Sequence, residues 1–161
     1  MNAALYWTIW IALALFAAGE AGKRALRAGR RSSPLAWFGC AAGLALAVVH
    51  TVLAFGVRHG WSHEAAWQST ARQTAAIYGL DWGGGLYVNY AFLGAWAWEV
   101  VGWRRSPASF ARQPVWLVRS LHLFYLVVIL NAAVVFAGGA RRIAGALLVL
   151  ALLWIWRPGR P

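Results

Sequence analysis

Apolar residues fill five stretches of the chain, and polar residues gather between them. The stretches are about residues 3–19, 34–57, 85–103, 114–138 and 143–156. A membrane-crossing helix needs about 20 mostly apolar residues, each rising about 1.5 Å across a core about 30 Å thick. The first four approach that length. The last reaches it best as 140–156, taking in residues before Ile143; otherwise it lies in the interface and four spans remain. Prolines open the second and fourth stretches, at Pro34 and Pro114, where a helix has no use for the missing N–H. Ser32 and Ser33 stand ready to cap the second. The pattern predicts an all-α integral membrane protein. It is one domain over residues 1–161, a bundle of five transmembrane helices.

The long connection, the outer loop 58–84, has a pattern of its own. Ser62 can cap a helix, Glu64 suits its first turn and Gly79 suits its end, so the loop predicts a helix over 63–78. His63, Trp67, Thr70, Thr74 and Tyr78 share one stripe at helical spacing, while Gln68, Arg72 and Gln73 project elsewhere. The segment is too polar to span, so it is expected to lie on the outer surface as an amphipathic lid.

Composition narrows the class. Hydrophobic residues make up 61% of the chain and charged residues 12%, against about 45–50% and about 25% in soluble domains. No soluble fold of this size hides so much apolar surface, and Cys40, the single cysteine, excludes an intrachain disulfide. The charges, 15 Lys and Arg against 4 Asp and Glu, report direction. Lys23, Arg24, Arg27, Arg30, Arg31, Arg104, Arg105, Arg112, Arg157 and Arg160 fall on one side, and Arg58, Arg72, Arg141 and Arg142 on the other. The positive-inside rule then sets the N-terminus outside and the C-terminus in the cytoplasm. The basic excess needs no nucleic acid and suits anionic lipids at the cytoplasmic face. A cleaved signal peptide is not expected, because residues 1–8 carry no basic residue.

Trp61-Ser62-His63, Thr70-Ala71-Arg72-Gln73-Thr74 and the run from Asp81-Trp82-Gly83-Gly84-Gly85 through Leu86-Tyr87-Val88-Asn89-Tyr90 together resemble a pattern in small, uncharacterised bacterial multi-pass membrane proteins. The resemblance extends through His122 and Asn131. It implies a bacterial inner-membrane setting and no particular chemistry.

Two polar layers fall inside the spans. From the helical rise, His50, Asn89 and Asn131 lie at one depth, about 24–25 Å above the inner end, with Tyr87 and Tyr90 near by. This layer is the candidate ligand site. With His59, His63 and Asp81 from the loop above, His50 also makes a candidate site for zinc, copper or iron, with Glu64 as an alternative carboxylate. Nearer the inside, Glu99 and Arg119 lie at matched depth and are expected to form a buried ion pair, with His122 one turn on.

These residues suit an inner-membrane protein that binds a metal or small ligand in an outward-facing polar pocket. The alternatives are a non-catalytic subunit or assembly factor of a membrane complex, a homo-oligomer, a haem protein and a transporter component. Haem held by both His50 and His122 is disfavoured by a depth difference of about 12 Å. Gly83 to Gly85 lack the strand-and-helix setting of a phosphate loop, and small residues such as Gly39 and Gly43 permit close helix packing. No arrangement for nucleophilic catalysis is present, and enzymatic activity is not expected.

Overall fold

The structure, a computed structural model, describes residues 3–157. Met1, Asn2 and residues 158–161, including Arg160 of the topology count, lie outside the described residues. The regular elements among the described residues are all helices: α1 (Ala3–Arg27), α2 (Pro34–His59), α3 (His63–Tyr78), α4 (Gly85–Arg105), α5 (Pro107–Ala111), α6 (Val115–Leu130) and α7 (Ala140–Trp156). Between α6 and α7, Asn131–Val135 forms a π-helical turn. Among the described residues, three stretches are long and apolar enough to cross a membrane: α1, α2, and α6 with its π turn. α2 exposes Leu35, Phe38, Val48, Val49, Val52 and Val57, a face suited to lipid tails.

Local chemistry sets the boundaries. The Ser33 hydroxyl accepts from the Ala36 N–H at 3.2 Å and places Pro34 in the first turn of α2. The Ser62 hydroxyl accepts from the Ala65 N–H at 3.1 Å, and α3 ends at Gly79 with φ 70°, a left-handed cap. The helix expected over 63–78 is therefore present. α1 differs from expectation by running eight residues past Gly19, and the connection between the third and fourth apolar stretches holds the short helix α5. The fourth apolar stretch ends in the π turn, where the Phe136 N–H bonds the Asn131 carbonyl at 2.9 Å.

α1 and α2 pack along a seam of small residues, with Gly19 against Cys40, Gly22 against Ala36, and Gly43 against Leu15. The candidate helix-contact position Gly43 thus serves packing inside the chain. Four rings fill the centre. Phe16 of α1 lies 4.9 Å from Trp96 and 5.1 Å from Tyr125, both edge-on, and Phe92 lies 5.4 Å from Tyr125. Each such pair contributes about 0.5–1.5 kcal/mol beyond the area it buries. The Trp96 indole N–H is satisfied at Cys40 Sγ, 3.2 Å away.

α7 meets the π turn so closely that any side chain at Gly145 would strike the Ala133 carbonyl. Arg142 Nε, one turn earlier, donates to the Val134 and Ala137 carbonyls at 3.0 Å each, closing the end of the turn. Gly145→Ala should therefore lower stability by about 1–3 kcal/mol through overpacking. Gly94→Ala, with open space around it, should be neutral or raise stability by up to about 1 kcal/mol through helix propensity. Paired thermal unfolding curves in detergent check both.

Candidate functional site: a buried ionic network

The α1 extension carries polar residues into the bundle. Phe16, Glu20, Lys23 and Arg27 follow one another at spacings of four, three and four, so the stripe that begins with a core ring continues with charges. Lys23, Glu20 and Glu99 are 0%, 1% and 2% exposed. Lys23 Nζ contacts Glu20 Oε1 and donates to Glu99 Oε2 at 2.6 Å. The Tyr125 hydroxyl donates to the same Glu99 oxygen at 2.8 Å. Trp156 Nε1 donates to Glu20 Oε2 at 2.8 Å, and His122 Nε2 lies 3.5 Å from that oxygen. The His122 and Trp156 rings stack, 4.5 Å apart at 11°. Arg27 Nη2 lies 3.7 Å from Glu99 Oε1 and 3.3 Å from Gln113 Oε1, with its guanidinium 5.0 Å from the centre of the Phe110 ring. The network thus joins α1, α4, α6 and α7 and reaches α5.

Burying a single charge this deeply costs several kcal/mol, and only close partners with further hydrogen bonds offset it. Two carboxylates, one ammonium and one guanidinium meet that condition together. Glu20 Oε1 and Arg27 Nε are buried without a hydrogen-bond partner among the described residues; Glu20 Oε1 is paired ionically with Lys23, and Arg27 lies where the network approaches the surface.

The expected Glu99–Arg119 pair is not formed. Glu99 pairs with Lys23 and Arg27, and Arg119 is exposed, with no ion pair among the described residues. At 100° per residue Arg119 sits about 120° around α6 from Tyr125, so it faces away once Tyr125 faces the core. His122 does join Glu99's network, through Glu20.

The other candidates have separate surroundings. His50 of α2 is half-buried, with Nδ1 3.2 Å from Thr8 Oγ1 of α1. Asn131 accepts from the Tyr78 hydroxyl and donates to the Val127 carbonyl at 2.8 Å. Asn89 is exposed. His63 lies among rings, 5.7 Å from Tyr87, 6.5 Å from Tyr90 and 6.2 Å from Phe55, and Phe55 is also 6.2 Å from His59. Asp81 borders a cleft of about 260 Å³ with Glu64 and Arg72, to which no histidine contributes. The metal site expected from His50, His59, His63 and Asp81 is therefore not assembled, and among the described residues no three His, Cys, Asp or Glu side chains could hold a metal ion. Spacing placed these residues at one end of the bundle, but ring packing and local hydrogen bonds divide them. Gly83 and Gly84 lie under the Trp67 and Trp82 rings, so their lack of a side chain serves close packing.

Sequence reasoning missed the parts that Glu20, Lys23, Arg27, Tyr125 and Trp156 take in the network. The signal was the continuation of the Phe16 stripe across Gly19.

Lys23→Met removes the shared cation and leaves two buried carboxylates facing each other. It should cost about 3–5 kcal/mol. Lys23→Met with Glu99→Gln should recover part of that loss, giving a coupling of at least about 1 kcal/mol in a double-mutant cycle read by unfolding in detergent. Additive losses would show that the two side chains act independently.

No protein-family profile matches the chain, and no curated protein or solved structure is significantly similar to it.

Proposed function

We propose that the chain is a five-crossing protein of a bacterial inner membrane, with its N-terminus outside, which binds a small polar ligand without catalysis. The binding groove opens outward beneath α3, an amphipathic helix on the outer surface. α4 and α7 complete the crossings begun by α1, α2 and α6. The ionic network supports this reading, because Glu99 crosses the apolar core as a neutralised group. The basic residues support the direction. Arg24, Arg30, Arg31, Arg104, Arg105 and Arg112 gather at the end opposite α3.

One observation carries the ligand reading. Asn89, Phe92, Trp96 and Trp103 lie on one side of α4 at spacings of three, four and seven. The last three are buried, yet Asn89 is exposed. The side of α4 that packs the core thus meets open space at its outer end. The amide offers two donors and an acceptor to a polar ligand.

A second reading, a non-catalytic subunit of a membrane complex, draws on the opposite side of α4. Tyr87, Ala91, Gly94, Trp98 and Val101 form an exposed stripe with small residues at its middle. A larger species on native electrophoresis that Gly94→Leu dissociates would favour it.

Cysteine labelling tests the groove and its direction together. Cys40 is buried, so the parent protein should resist a membrane-impermeant maleimide. Asn89→Cys should react in intact spheroplasts. Low-molecular-weight fractions of cell extract that hold the ligand should slow that reaction, while Arg72→Cys stays equally reactive. Labelling only after lysis would overturn the orientation, and an unchanged rate with every fraction would overturn ligand binding.

A further inference from the structure

At the opposite end, a second groove of about 270 Å³ lies between the start of α2 and the end of α4. Ser32, Trp37, Phe38, Trp103 and Arg104 line it. Hydrogen bonds fix both indoles: Trp37 Nε1 donates to the Val100 carbonyl at 2.9 Å, and Trp103 Nε1 donates to Ser32 Oγ at 3.0 Å. The Arg104 guanidinium sits 5.7 Å from the centre of the Trp37 ring. It is exposed and forms no ion pair among the described residues. Ser32, which accepts from Trp103, keeps its own O–H to donate. Beside the groove, Leu35 is 82% exposed and Phe38 63% exposed.

We infer that this groove binds one anionic phospholipid. The Arg104 guanidinium and the Ser32 hydroxyl take the phosphate oxygens, and the first acyl carbons lie on Phe38 and Leu35. The charge balance selects the headgroup. Arg30, Arg31 and Arg105 lie within two residues of Ser32 or Arg104 in the chain. Both nearby acids, Glu20 and Glu99, are buried against Lys23. A headgroup with net negative charge gains from that field, whereas an ammonium-bearing headgroup places its cation against it. Trp37 and Trp103 suit the same depth, where an indole is half in hydrocarbon and half in the polar layer. The inference rests on the reading that α2 and α4 cross the membrane, and it does not depend on which way the chain faces.

Native mass spectrometry of the delipidated protein in detergent tests it, with phosphatidylglycerol as the probe and phosphatidylcholine and inorganic phosphate as comparison arms. One phosphatidylglycerol should be retained, at least about tenfold more strongly than phosphatidylcholine. Arg104→Gln should lower that retention about tenfold. Arg104→Lys should give an intermediate loss, because a point charge replaces the planar fork. Arg119→Gln, which removes an exposed charge elsewhere, should change nothing. Unfolding curves identify any variant that fails to fold, and Ser32→Ala then supplies the decisive comparison with a smaller loss. Equal retention of the two lipids, or full retention by folded Arg104→Gln, would overturn the inference. Displacement of the lipid by millimolar phosphate would assign the groove to a free anion instead. The readout is made in detergent, so failure here leaves the labelling result at Asn89 intact, and the reverse holds as well.

Discussion

The fold depends on one cation held between two carboxylates. Lys23 reaches Glu20 within its own helix and Glu99 on α4, and both are out of contact with water. In a medium of low dielectric, neither acid tolerates loss of that ammonium. The remaining bonds follow from it. Tyr125 and Trp156 complete the oxygen shells of the two carboxylates, and His122 is held by stacking on Trp156. Apolar side chains would let helices slide past one another at little cost. An ionic contact of 2.6 Å between α1 and α4 does not, so the network sets register as well as proximity.

The two ends of the bundle therefore differ in kind. One end is closed by charges that satisfy each other around an edge-on cluster of Phe16, Phe92, Trp96 and Tyr125. The other is held by smaller, separate contacts: Thr8 with His50, Tyr78 with Asn131, and rings around His63. Separate contacts break one at a time, whereas the network must break as a unit. The α3 end is thus the part of the bundle able to rearrange at low cost.

What could be read in the sequence was what depends on neighbours in the chain. Pro34 after Ser33, and Ser62 and Gly79 around α3, set their boundaries through bonds three or four residues long, and all are present. What failed depended on rotation and continuation. Ending the first span at Gly19 put Lys23 in a loop and left Glu99 in want of a cation, which Arg119 was matched to supply. Depth along an axis is a sum of residues, but facing is an angle, and the depth of Arg119 carried no information about its direction. The layer of His50, Asn89 and Asn131 has the same weakness, since equal height does not make side chains converge.

The network also empties the surface of one functional group. Lys23 is the only lysine in the chain, and it is fully buried. Every exposed side-chain cation is therefore a guanidinium or an imidazole. Acetylation, ubiquitin attachment and amine-directed crosslinking find no side-chain amine on the folded protein. The same reagents meet a primary amine once the bundle opens, so covalent marking of Lys23 records unfolding and leaves the native molecule unmarked.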